Sequence, residues 1–177
     1  MRLGGALLII AALAVLLALT LYHDWKENKI PNRYTVAGIA AGLLYHGSLG
    51  GWSGLLNAAL GLVTGFGIML VLYVFKAVGA GDVKLFGAIG AMTGGAFVLN
   101  GAINSILFAA VIGLAMIAYR RELAARLGNT FALLFNLLLQ RDTAGLVAYR
   151  SQAATFPFMY AVLPGIAFTF TYCYPAL

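Results

Sequence analysis

Two aspartates, Asp24 and Asp82, stand where long apolar runs give way to short charged stretches. A carboxylate at a membrane boundary is costly to hold, so an ionisable residue there marks a functional site by default. Asp82 follows Gly79-Ala80-Gly81 and precedes Val83-Lys84-Leu85. The two glycines remove side chains where another backbone can approach the carboxylate. Brought together, two such groups can catalyse hydrolysis. One, ionised, takes a proton from water while the other, protonated, polarises the scissile carbonyl. Two close carboxylates do not both ionise cheaply, and partial burial favours the neutral form further, so the mixed state arises from the setting. Its titration belongs to the pair. Cleavage at a membrane surface also needs a locally unwound substrate, and exposed backbone at 79–81 could pair with such an extended segment. The plainer readings are a solvated loop aspartate and glycines that serve only a flexible turn.

The elements that must position these residues are apolar helices. The 177 residues are 63% hydrophobic and 9% charged, too few charges to cover the surface of a soluble domain of this size. Apolar runs of about 18 residues or more read as membrane spans. The expected fold is therefore all-α, a polytopic membrane protein forming a single domain over 1–177. Six transmembrane helices are expected, at about 3–22, 34–52, 54–75, 83–99, 102–119 and 156–174. A signal peptide is the rival for the first, since Arg2 precedes it, but the run is long for a signal core and lacks a clean small-x-small site before His23. Pro31 disfavours helix at Ile30, so 23–33 reads as an ordered turn. An uncharged loop is expected at 46–53, and a neutral, glycine-rich link before the fifth span.

The pairs Gly38/Gly42, Gly61/Gly65 and Gly90/Gly94 have the small-xxx-small spacing of close helix packing. Between spans five and six, Glu122, Arg126, Asn129, Asn136 and Gln140 recur at helical spacing opposite Leu123, Leu127, Phe131, Leu134 and Leu138. That pattern predicts an amphipathic helix lying in the interface.

The net charge is +6, yet the basic residues lie in short loops beside spans, where they set topology; no nucleic-acid partner is expected. Lys26, Lys29 and Arg33 fall in the first loop, Lys76 and Lys84 in the third, and Arg120, Arg121, Arg126, Arg141 and Arg150 in the fifth. Only Arg2, of eleven Lys and Arg residues, lies elsewhere. By the positive-inside rule the odd loops are cytoplasmic and both termini lie outside. Asp24 and Asp82 then share the cytoplasmic face, without any assumption about function.

Gly79-Ala80-Gly81-Asp82-Val83-Lys84-Leu85 resembles the GxGD motif of the type IV prepilin peptidases, which typically continues with Val-Lys-Leu. Asp24, with Lys29-Ile30-Pro31-Asn32 after it, resembles the other aspartate segment of that family. Phe156-Pro157-Phe158-Met159-Tyr160-Ala161, followed by Gly165, is similar to the start of its last span. The resemblance runs from about residue 3 to 174. It implies a membrane aspartic endopeptidase of the inner (cytoplasmic) membrane that removes a short basic leader from a prepilin, generally after a glycine and before the pilin's apolar helix. It implies Asp24 and Asp82 as the catalytic pair, Gly79 and Gly81 as the residues shaping their loop, and no cofactor. Large bacterial members carry an added region with paired CxxC motifs, associated with methylating the new N-terminus. This chain has neither the region nor the cysteines, so peptidase activity without methyltransferase activity is expected. The compact form resembles the peptidases of Flp/Tad-type pilus systems or archaeal preflagellin peptidases, with the bacterial setting favoured.

The remaining polar residues allow more than one role. Lys84 could bias Asp82 toward its ionised form or serve as a positive-inside anchor; i and i+2 do not share a helix face. Glu27 could receive the basic leader or be solvated, and His23 could tune Asp24 or sit in the interface. His46 is expected on the outer side, away from catalysis. Trp25, Trp52, Tyr119 and Tyr174 suit interfacial anchoring. One cysteine, Cys173, allows neither a disulfide within the chain nor a multi-cysteine zinc site, and no metal ligand set is expected. Three rival functions remain. An intramembrane protease resembling presenilin or signal peptide peptidase would have its companion aspartate after a tyrosine within a span, whereas His23 precedes Asp24. A proton-coupled transporter would have acids near the bilayer middle, where none of the five lies. A noncatalytic pilus-assembly subunit would tolerate loss of both aspartates. Nothing in the sequence speaks to oligomeric state.

Overall fold

The computed structural model describes residues 2–27, 31–119 and 158–173. They form five helices, α1 (Arg2–Glu27), α2 (Asn32–Val74), α3 (Ala80–Thr93), α4 (Gly95–Tyr119) and α5 (Met159–Cys173), and no strand occurs among the described residues. The chain divides into two compact units, Met1–Ala109 with Pro157–Leu177, and Ala110–Phe156. The first contains both aspartates; of the second, only the last turns of α4 are described. The expected interfacial helix between spans five and six lies outside the described residues.

Among the described residues three helices are long and apolar enough to cross a bilayer, Leu7–Glu27, Asn32–Val74 and Gly95–Met116. The second has 43 residues. As a straight rod it would measure roughly 65 Å, about twice a hydrocarbon core. It is not straight. Gly51, at φ 55 and ψ −137, breaks it into arms 32–50 and 52–74. A side chain at that positive φ would be strained, so a glycine stands there. The expected loop at 46–53 is thus replaced by helix interrupted at a single residue.

α3 is the centre of the bundle. Every residue from Asp82 to Met92 except Lys84 is buried. It is apolar around its whole circumference because it has neighbours on all sides. Gly38 and Gly42 of the first α2 arm face Ala88 and Ala91, while Gly61 and Gly65 of the second face Gly90 and Phe86. The two arms therefore run in opposite directions along α3. A Cβ on Gly42 would lie 2.6 Å from the Ala91 carbonyl, and one on Gly61 would collide with the Gly90 carbonyl. Absent side chains let these backbones touch, as the small-residue spacing predicts. Leu13, Leu16 and Leu17 of α1, Met69 of α2, Phe97 and Val98 of α4, and Met159, Val162 and Ile166 of α5 complete the core.

Two expected boundaries are corrected. The fourth span was expected to run to 99, but α3 ends at Thr93 and α4 begins at Gly95. Gly94, at φ 87 and ψ 170, ends the helix while its N–H still bonds the Gly90 carbonyl at 2.8 Å. The link before the next helix is that one residue. His46 Nε2 donates to the Met92 carbonyl at 2.9 Å, satisfying an acceptor that the helix end leaves open. Near Asp24, α1 continues through Glu27 rather than ending at Tyr22. Nothing between them breaks a helix, and Lys26 in the last turn complements the helix dipole.

α4 and α5 pair through Asn104 Nδ2 donating to Thr169 Oγ1 at 2.9 Å and through the Phe97 and Phe170 rings, 4.7 Å apart. The end of α1, both ends of the folded-back α2 and the start of α3 share one end of the unit.

Candidate active site

Asp82 occupies the first turn of α3, and the turn that delivers it is built from the residues before it. The second arm of α2 ends in a Schellman-type closure, with Lys76 N–H donating to the Tyr73 carbonyl at 2.8 Å and Ala77 N–H to the Leu72 carbonyl at 2.9 Å. Lys76 takes the left-handed position at φ 59, where glycine is the usual occupant. The chain then extends through Gly79, at φ −83 and ψ 158, which caps α3. Gly79 N–H donates to Asp82 Oδ2 at 3.0 Å, so the carboxylate closes the first turn of its own helix.

This refines the roles expected of the two glycines. The Gly79 backbone is one that any residue adopts; what constrains it is space, since a Cβ there would lie 3.3 Å from Asp82 Oδ2. Gly81 is half-buried and inside the first turn of α3, not in the loop.

Asp82 is 8% exposed. Burial pushes its carboxyl up to about 6 from an ordinary 3.8; the Gly79 N–H opposes this, and the negative charge of Asp24 adds to it. That shift corresponds to about 3 kcal/mol. The favourable dipole of a helix N-terminus contributes less, about 0.3–1 kcal/mol, so burial wins.

Asp24 is half-buried on the last turn of α1. His23 beside it is partly exposed, and its ring nitrogens meet groups other than Asp24. Its Nδ1 lies 3.0 Å from the Leu19 carbonyl, which can only accept, so Nδ1 carries the proton. Nε2 is then the acceptor, and the Tyr34 hydroxyl lies 3.4 Å from it with the two rings 4.9 Å apart. Arg33 stacks over the Tyr34 ring at 5.0 Å.

Lys84 is exposed. It donates to Asn32 Oδ1 at 2.9 Å, reaching from α3 to the first residue of α2. Glu27 is exposed at the end of α1. Asn32 closes the Lys29-Ile30-Pro31-Asn32 segment, but neither its bond with Lys84 nor that of Tyr34 with His23 is readable from the sequence. The one signal available was their position just after Pro31, at the start of a helix that opens on the aspartate-bearing face. Among the described residues no three His, Cys, Asp or Glu side chains come together as a metal-ligand group.

The arrangement is thus a buried carboxyl with raised proton affinity and a more exposed partner carboxyl at the same end of a helical bundle. Such a pair can shuttle protons to and from a water and a carbonyl. A sequence model described as the type IV leader peptidase family matches residues 11–116, a stretch that holds both aspartates, the start of α2 and all of α3. The similarity of residues 156–165 to a last conserved span lies beyond the match. Neither a curated protein nor a solved structure matches the chain.

Proposed function

The chain belongs to the type IV leader peptidase family, and from that membership we propose that it is a membrane aspartic endopeptidase that removes the short basic leader of a prepilin at the cytoplasmic membrane face. What supports the reading is the placement of Asp24 on the last turn of α1 and of Asp82 in the first turn of α3, with the start of α2 bonded to both helices. The pilin's apolar helix would remain in the bilayer while the bond before it reaches this end.

Asp82, the more buried member, holds the proton; Asp24 is the base. Asp24 takes a proton from water as the water oxygen attacks the scissile carbonyl carbon, and Asp82 gives its proton to the carbonyl oxygen. The resulting gem-diol collapses as the C–N bond breaks. Asp24 returns its proton to the leaving amine, a gem-diol hydroxyl returns a proton to Asp82, and both carboxyls regain their starting states. With no CxxC-bearing region in the sequence, the reading is a peptidase without N-methyl transfer, acting in a compact pilus system of the Flp/Tad type. Six spans with both termini outside accompany this reading, as the charge distribution implies.

The test is incubation of the purified protein in detergent with a prepilin, beside Asp24→Asn and Asp82→Asn. The wild type releases the leader and neither variant does, although both accumulate in the membrane. An inactive wild type, or normal cleavage by either variant, overturns the assignment.

A further inference from the structure

α1, which carries Asp24, is held differently from α3, which carries Asp82. α2 and α3 touch backbone to backbone through their glycines, whereas α1 packs through side chains, Leu13, Leu16 and Leu17, with Thr20 the last buried residue before Asp24. Asp82 thus lies within the buried stretch of its helix, and Asp24 one turn beyond the buried stretch of α1. Two polar links at the same end bear on this. Tyr34 at the start of α2 meets His23, the residue before Asp24, and Asn32, two residues earlier, accepts from Lys84, two residues after Asp82. Lys84 only donates, so Asn32 presents its carbonyl oxygen to it.

We propose that the first turn of α2 is a positioning piece for the two aspartates: Asn32 ties it to α3 through Lys84, Tyr34 ties it to α1 through His23, and together these links set the Asp24–Asp82 separation. The inference rests on the peptidase reading for its catalytic consequence but not for its geometry. Neither link touches a reacting atom, so Asn32, Tyr34, His23 and Lys84 act through the aspartates. The α2–α3 interface is glycine-packed and extensive, and an exposed link adds little to its stability. Cutting the Lys84–Asn32 link therefore changes where the first turn of α2 sits more than whether the bundle folds. Catalysis is sensitive to such changes, since a displacement of about 1 Å in a reacting group costs up to about 100-fold.

Two measurements test it. In the prepilin assay, Asn32→Ala, Lys84→Met and Tyr34→Phe each lower kcat by about tenfold with KM held within about twofold, and Lys84→Arg, which keeps a donor, restores most of the rate. Asn32→Ala with Lys84→Met is no worse than the poorer single variant, because both cut one link. Independently of activity, Asp24→Cys and Asp82→Cys in a Cys173→Ser background are joined by a short bifunctional thiol reagent, and adding Asn32→Ala or Tyr34→Phe lowers the yield. Unchanged kcat together with unchanged cross-linking overturns the proposal. So does a rise in KM at constant kcat, which would make these residues leader contacts. If the wild type cleaves nothing, the peptidase reading fails, and the cross-linking comparison still decides the positioning.

Discussion

Asp82 accepts a hydrogen bond from the Gly79 backbone at 3.0 Å, so the residue placed to hold a proton also fastens the turn that delivers it. Substitutions separate the two roles. Asn in place of Asp keeps an acceptor for Gly79 and removes a carboxyl that burial makes costly to ionise. Asp82→Asn therefore raises the unfolding midpoint at pH 7 while kcat falls by about 10²–10⁴-fold. Asp82→Ala loses the same activity and also the cap, and is less stable than the Asn variant by about 1 kcal/mol. Thermal unfolding in detergent beside the prepilin assay checks both.

Asp82 also gives stability a pH dependence. Its carboxyl is raised to about 6 in the fold from an ordinary 3.8. A raised acid is protonated more readily in the native state than in the unfolded one. The contribution is therefore fully present below about pH 4, and is lost as pH rises through about 6, amounting to about 3 kcal/mol between those limits. Unfolding midpoints of the wild type should fall across this window, and those of Asp82→Asn should lack that component. In the peptidase reading the alkaline limb of kcat/KM lies near the same value, as a property of the pair.

Two glycines of the same α2 arm should respond oppositely to alanine. A Cβ at Gly61 collides with the Gly90 carbonyl, whereas one at Gly67 meets nothing within 4 Å. Gly61→Ala forces α2 away from α3 and costs about 1–3 kcal/mol, with loss of activity because α3 carries Asp82. Gly67→Ala gains about 0.8–1.0 kcal/mol of helix propensity and leaves activity unchanged. Unfolding midpoints of the two variants, with opposite signs, are the check.

Lys76 sits at φ 59 in the closure that ends α2. A non-glycine residue held in that region costs about 1–3 kcal/mol. Lys76→Gly should relieve part of this and raise the midpoint, with kcat unchanged, since the side chain plays no part in the proposed chemistry. A fall in stability would show that the lysine side chain outweighs the strain of its backbone.

The helical character of the chain and the standing of both aspartates at the ends of apolar helices were legible because each follows from local chemistry. Charges stand at the ends of apolar runs, and basic residues concentrate in alternate loops. The turn chemistry was partly legible. Gly51 and Gly94 lie in glycine-rich stretches, but which glycine of several takes the positive φ depends on where neighbouring helices stop, so the boundary of the fourth span was misplaced. The contacts of Asn32 and Tyr34 were not legible, although Asn32 stands in the Lys29-Ile30-Pro31-Asn32 segment. Their significance lies in contacts with Lys84 and His23, 52 and 11 positions away, and no spacing rule predicts those.

Sequence alone therefore determined that the chain is helical and apolar, with Asp24 and Asp82 at the ends of apolar runs, because hydropathy and charge act residue by residue. Tertiary structure decided that α3 is wrapped by both arms of α2, and that Asp82 is thereby buried enough to favour its proton. It also decided that the first turn of α2 reaches both aspartate-bearing helices. Burial and separation depend on what packs around a residue, and a chain read in order does not contain its neighbours.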